Sequence, residues 1–224
     1  DRDGNVIGVY CISRNITDRI VLGGKKIPAN PFYPSHAMQK TFHDALLAAG
    51  SHSIILLQGE SGSGKDFLAH WIHDHSDQSS GPFFTVNCAA LPLELAESEL
   101  FGYEKGAFTG AQGLKRGLLE LAEGGTILLN EIGELSLQIQ SKLLAFLDTR
   151  SFVRVGGQKH IHVNARLIAA SHRDLREEVG ENRFLEPLYY RLSVFPIRVP
   201  PLRERTEDLE ILVEHLLARI AVEL

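Results

Sequence analysis

The chain has 224 residues, 44% hydrophobic and 23% charged, with a formal net charge of −5. Its length is about one and a half domains at roughly 150 residues each. Apolar residues recur along nearly all of it, which excludes a long disordered tail, and no apolar run approaches the roughly 18 residues that span a bilayer. The acidic balance, with a pI near 6.1, excludes nucleic-acid binding through bulk charge while leaving room for a local basic patch. Cys11 and Cys88 fit no zinc or redox spacing. With no signal peptide, this reads as a reducing, cytoplasmic setting. The chain begins at Asp1 and its one methionine is Met38. A helical pattern over 206–224 stops without glycine or proline, so both ends read as cut.

In chain order, residues 1–19 hold an Asp-Gly-Asn turn and then Val6, Ile7, Val9, Tyr10 and Ile12, the pattern of a hairpin edge or a final strand. A breaker-rich linker runs from Gly23 to Pro34. Residues 36–49 predict a helix with Met38, Phe42, Leu46 and Leu47 on one face and Gly50 as the stop. Strands are then expected over 53–57, 83–86, 126–129, 164–170 and 194–199, with helices over 66–75 and 135–148. Continuous apolar strands alternating with helices predict an α/β fold, a parallel sheet covered on both faces. Residues 152–163, with Gly156-Gly157 at the centre, read as an inserted hairpin.

Two segments carry chemistry. Gly59-Glu60-Ser61-Gly62-Ser63-Gly64-Lys65-Asp66 lies between the first expected strand of the sheet and the helix after it. In that setting G-x-x-x-x-G-K is a phosphate loop: glycines let the backbone wrap an anion, N–H groups and the positive helix end face it, and Lys65 reaches the β- and γ-phosphates. The residue after the lysine is ordinarily Ser or Thr, which ligates magnesium; here it is Asp66. The bland alternative is a tight turn with an exposed lysine. The second segment, Gly124 to Glu131, is an apolar strand ending in Asn130-Glu131. In phosphate-loop ATPases that strand end normally supplies a magnesium-associated Asp, and a following Glu polarises the attacking water. Asn130 brings no charge, so magnesium is assigned to Asn130 or Asp66. The bland alternative here is a capping Asn beside a surface Glu.

Residues 99–111 read ELFGYEKGAFTGA. Gly106-Ala107-Phe108-Thr109-Gly110-Ala111 reads physically as a mobile loop offering an aromatic anchor, or else as two glycine bends with Phe108 tucked into the core. Together with GESGSGK, Asn87–Pro92 (NCAALP), GGTILLNEIGEL, Leu188–Leu192 (LYYRL) and Pro200–Arg205 (PPLRER), the string resembles the AAA+ central domain of sigma-54-dependent transcriptional activators, the bacterial enhancer-binding proteins. The match covers roughly residues 30–224, in family order. The first residues look like the last strand of a PAS sensor domain. This divides the chain into a PAS-like end (1–19), a linker (20–35), the AAA+ core (36–200) and the truncated start of a helical lid (201–224).

The resemblance implies a ring oligomer, usually a hexamer, that hydrolyses ATP with magnesium between subunits and remodels the sigma-54 RNA polymerase holoenzyme. DNA would be bound only through a domain absent from this chain. It also implies roles. Lys65 binds phosphate and Glu131 acts on the water. Asn87 matches the asparagine that holds the catalytic glutamate until the nucleotide state changes. The Gly106–Ala111 tip, with Phe108 and Thr109, contacts sigma-54. Arg191 is an arginine finger, a group whose loss elsewhere costs on the order of 10³-fold or more in rate. Four positions depart from the family pattern: Asn130 for aspartate, Asp66 for glutamate, His172 for a sensor asparagine at the nucleotide site, and Leu185 for a first arginine finger. Arg183, two residues from Leu185, is aimed elsewhere by backbone rotation. Asn130, His172 and Leu185 all touch hydrolysis and raise the alternative of a degenerate nucleotide-sensing module that binds ATP and sigma-54 but hydrolyses poorly.

Other clusters receive plainer readings. His70, His73 and His75 suit the solvated negative end of a helix, and His160 and His162 face solvent. Trp71 packs in the core. Arg203 and Arg205 are structural or interface charges, and Lys25-Lys26 is too short for a nucleic-acid patch.

Overall fold

The computed structural model describes residues 33–223, so the PAS-like segment, Cys11 and the Lys25-Lys26 pair lie outside the described residues. The elements in order are α1 (His36–Ala49), β1 (Ile55–Gln58), α2 (Lys65–Asp74), β2 (Phe83–Asn87), α3 (Leu93–Phe101), β3 (Gly102–Tyr103), β4 (Lys115–Arg116), α4 (Leu118–Leu121), β5 (Thr126–Asn130), α5 (Leu137–Thr149), β6 (Ser151–Val153), β7 (His160–His162), β8 (Arg166–Ser171), α6 (Leu175–Gly180), α7 (Glu186–Leu192), β9 (Phe195–Arg198) and α8 (Leu209–Glu223). Five strands form one sheet in the order β2-β5-β8-β1-β9, and all four pairings are parallel.

Strand alternation splits the core in two, because successive side chains point to opposite faces. Leu56, Ile127, Leu129, Leu167 and Ala169 face α3, α4, α5 and α7, meeting Leu100, Leu119, Leu143, Phe146 and Leu188. Their neighbours Ile55, Leu57, Leu128, Ile168 and Ala170 face α1 and α2, meeting Phe42, Ala45, Leu68, Trp71 and Ile72. Burying both faces removes every central strand from water, which is why these strands read as unbroken apolar runs.

Helix α1 corrects one expectation. Its buried face is Met38, Thr41, Phe42, Ala45, Ala48 and Ala49, while Leu46 and Leu47 are more than half exposed. The small alanines let α1 lie close to α2, and Phe42 stacks on Tyr33 at 5.3 Å and meets Trp71 edge-on at 5.1 Å. Such aromatic pairs each add about 0.5–1.5 kcal/mol beyond their buried area. The sequence favours the larger leucines on hydrophobicity alone, but close helix packing favours the smaller residues.

The expected hairpin is present as β6 and β7, paired antiparallel with Phe152 opposite Ile161 and Gly156 in the left-handed region at φ 72°. His160 and His162 are exposed, as expected. The helix-end histidines differ: His73 is buried, with Nδ1 2.9 Å from the Thr126 hydroxyl, and burial lowers its pKa. His70 lies on the Phe83 ring at 3.8 Å. The helix end abuts the start of β5 instead of solvent. Among the described residues no cluster of three or more His, Cys, Asp or Glu could hold a metal ion, and no helix is long and apolar enough to cross a membrane.

Candidate nucleotide site and loop tip

The chemistry gathers at the C-terminal edge of the sheet, where the loop after β1 meets the ends of β5 and β8. The loop closes on itself: Ser63 N donates to Glu60 O at 3.1 Å, and Gly59 N donates to Ser171 O at 3.2 Å. Gly62 and Gly64 take φ of 76° and 98°, a conformation that side chains rarely adopt. At Gly59 the requirement is space, since a Cβ would stand 2.5 Å from Val199 O and 2.9 Å from Ser63 Oγ. Glu60, Ser61 and Gly62 are exposed at the rim.

Lys65 opens α2 and is only 5% exposed. Its ammonium donates to Gly59 O at 2.8 Å and Glu60 O at 3.1 Å and lies 3.8 Å from Glu131 Oε1. Asp66, beside it, accepts from Asn130 Nδ2 at 2.8 Å. Desolvation pushes the Asp66 carboxyl up, Lys65 opposes this, and Glu131 adds to it. Glu131 sits just past β5 at φ 55°. Its N–H donates to Asn130 Oδ1 at 3.0 Å. That donor fixes the amide, so the Asn130 oxygen faces backbone and its nitrogen faces Asp66. Glu131 Oε2 takes His172 Nδ1 at 2.5 Å and His172 N at 3.3 Å. Lys65, Asp66, Asn130, Glu131 and His172 therefore form one connected set.

Two expected members lie apart from that set. Asn87 pairs with Asn130 in register across β2 and β5, but its Oδ1 accepts from Ala89 N at 3.1 Å and caps the turn after β2. Arg191 lies against the end of α5, donating to Leu147 O at 3.0 Å with Nε 3.2 Å from Asp148. Leu185 donates its N–H to Gln140 Oε1 at 2.8 Å and packs on the core. Arg183 pairs with Glu178 at 2.7 Å. Cys88 is buried, and burial pushes its thiol up to about 12, leaving it an inert packing group.

A brace under the loop is legible in the sequence only as two arginines after the last strand. Arg203 grips Glu60 with both NH groups at 2.6 and 2.7 Å and holds that carboxyl below its ordinary range. Arg205, 6% exposed, donates to Ser63 O at 2.6 Å. Buried Asp208 accepts from Ser35 N and Oγ at 2.9 and 2.7 Å. These contacts tie the segment before α8 to the phosphate loop and to the start of α1. Among PPLRER and the residues after it, a run of charges directly behind a buried strand is the signal that points to them.

The Gly106–Ala111 tip stands away from the sheet on the antiparallel pair β3–β4. Gly106 N donates to Ala111 O at 2.9 Å, and Ala111 N to Phe108 O at 3.0 Å. Phe108 is 43% exposed, resting edge-on against Tyr103 at 4.9 Å, so it is not a core residue. Thr109 is exposed. The hairpin supports this tip: Glu104 N donates to Val155 O at 3.0 Å, Arg154 binds Glu104 and Glu120 at 2.7 and 2.9 Å, and a Cβ on Gly156 would meet Ala107 Cβ at 2.7 Å. Nothing in the separate patterns of loop and hairpin announces that they touch.

Residues 32–198 match the family described as the sigma-54 interaction domain. The chain belongs to this family. It is 52% identical over 202 residues to a Nif-specific regulatory protein of Herbaspirillum seropedicae, covering 90% of this chain and 37% of that protein. It is 47% identical over 220 residues to nitrogen fixation protein VnfA of Azotobacter vinelandii, covering 98% and 42%. The chain thus spans about two fifths of the length of these relatives. Among solved structures it resembles NtrX of Brucella abortus, at 38% identity and a TM-score of 0.79 over 85% of this chain and 43% of that one. NtrX has also been solved in complex with ATP, where the TM-score is 0.78 at 38% identity, covering 85% and 43%.

Proposed function

We propose that this sigma-54 interaction domain binds and hydrolyses ATP, assembles into a ring of like subunits, and uses the hydrolysis to remodel the sigma-54 RNA polymerase holoenzyme so that promoter DNA opens. One observation carries the reading: Lys65, Asp66 and Glu131 converge under a glycine loop at the positive end of α2. Lys65 rests on two neutral carbonyls, which phosphate oxygens replace with charge-assisted contacts. The loop N–H groups of Gly62, Gly64 and Lys65 supply the rest of the anion cradle. Glu131 accepts the proton of the attacking water, a role that contributes about 10²–10⁴-fold. The NtrX complex with ATP supports nucleotide binding at a related fold.

The residues fit a magnesium ion through Asp66. Asp66 is a carboxylate at the first turn of α2 beside Lys65, held on one oxygen by Asn130, and a carboxylate oxygen is the hard donor that magnesium takes. The oxygen of Asn130 is already engaged by Glu131 N, so Asn130 orients Asp66 and does not ligate. When bound, magnesium neutralises charge on the phosphate oxygens. Arg191, which makes no contact with Lys65 or Glu131 in its own chain, serves the site of a neighbouring subunit. The Gly106–Ala111 tip, with Phe108 and Thr109, is the sigma-54 contact.

Two variants test the site together. Lys65→Ala loses ATP binding in equilibrium titration. Glu131→Gln keeps binding but slows phosphate release by about 10²-fold or more. Full turnover by Glu131→Gln contradicts the reading.

A further inference from the structure

Both oxygens of Glu131 are engaged in this structure. Oε2 takes the His172 ring and backbone nitrogens at 2.5 and 3.3 Å, and Oε1 faces the Lys65 ammonium at 3.8 Å. A carboxylate only accepts, so the His172 Nδ1 carries the proton. The left-handed backbone of Glu131 is pinned by its N–H on Asn130 Oδ1 and by Glu134 N on its own carbonyl at 3.0 Å. His172 is placed by the turn after β8, where Ser171 Oγ binds Arg173 N and O at 3.0 and 2.9 Å. The nearby charges do not compete for Glu131. Arg173 is spent on Glu134 and Glu178, and Asp66 is held by Asn130. Asn87, the residue that the resemblance assigns to restraining Glu131, is turned to Ala89.

We propose that His172 is a positioning residue that parks Glu131: the Nδ1–H holds the carboxylate out of base duty, and hydrolysis requires this bond to open. The proposal rests on the ATPase reading above. With Oε2 carrying two N–H donors and Oε1 facing an ammonium, neither oxygen is turned toward a water on the phosphate side. Hydrogen bonds to charged groups are among the stronger ones, and the ring is 42% exposed, so releasing it is worth about tenfold in rate. Asparagine at this position places an Nδ2–H where the imidazole Nδ1–H stands and keeps the restraint. Alanine leaves only the backbone N–H.

The test uses the full chain with His172→Ala, His172→Asn and Glu131→Ala. Steady-state ATPase is measured at saturating ATP, ATP affinity with a fluorescent analogue, and the imidazole N–H protons by NMR of nucleotide-free protein carrying 15N-histidine. His172→Ala is expected to raise kcat about tenfold, and His172→Asn, which retains one N–H donor, to raise it by clearly less than His172→Ala. A low-field N–H resonance is expected in the parent and lost in both Glu131→Ala and His172→Asn. A fall in kcat for His172→Ala, equal rates for the asparagine and alanine variants, or a resonance indifferent to Glu131→Ala overturns the proposal. A parent that binds ATP and shows the resonance but never turns over overturns the ATPase reading, and the parking role with it. That result is distinct from a parent that turns over without the resonance, where only the parking role fails.

Discussion

At the scale of single residues, the site is a connected set of polar contacts in which Asn130 links Asp66 to Glu131 and Glu131 links Lys65 to His172. The loop glycines and Lys65 were legible because a glycine-rich turn between strand and helix has few other uses. The partners of Glu131 were not legible, since a sequence separation of 41 from His172 carries no pattern that pairs them. Gly59→Ala tests the close packing of the loop: its Cβ would press on Val199 O and Ser63 Oγ, and ATP affinity should fall by about 1–3 kcal/mol of local strain in a binding titration. Glu178 offers a pH test. The Arg183 guanidinium beside it holds its carboxyl down to about 2, against an ordinary value of about 4.3 in an unfolded chain. A depressed folded value gives stability that is present above about 4.3 and lost as pH falls through about 2. Glu178→Gln should lower stability at pH 6 by about 1 kcal/mol, since Arg183 is half in solvent. In denaturant titrations the gap should close as pH approaches 2.

At the scale of elements, the five-stranded sheet and helices α1, α2, α5 and α8 were readable because the strands are apolar on both faces and β-period alternation assigns each residue to one core, whereas the shorter α3, α4, α6 and α7 and the β3–β4 pair carry too few periods to be read. Strand boundaries shift by only a residue or two, as at β8, expected over 164–170 and observed as Arg166–Ser171. Helix α1 shows where hydrophobicity misleads, since close approach selects Ala45, Ala48 and Ala49 over Leu46 and Leu47. Contacts between distant loops were unreadable, and the support of the Gly106–Ala111 tip by the β6–β7 hairpin is the main example. Two variants follow at this scale. Thr109→Ala, at the exposed tip, should leave ATPase intact and abolish activation at a sigma-54-dependent promoter. Gly156→Ala, which substitutes no tip residue, should do much the same, because its Cβ would collide with Ala107 and displace the tip. A pull-down with sigma-54 in the presence of ATP separates lost contact from lost chemistry.

At the scale of the whole molecule, the arrangement is half of a machine. Phosphate loop, acidic strand end and brace lie together, while Arg191 rests against α5. On the proposed function, the arginine needed on the transferring phosphoryl group would come from another copy of the chain, and hydrolysis would be a property of the assembly. The departures at Asn130, His172 and Leu185 put the opposite outcome within reach of experiment. The most direct measurement is the rate of phosphate release per subunit across a protein-concentration series, with and without sigma-54, at saturating ATP. A shared-site ring enzyme gives a specific rate that climbs steeply with concentration and then levels off, and Arg191→Ala stays flat. A flat, near-zero specific rate in a chain that still binds ATP contradicts it.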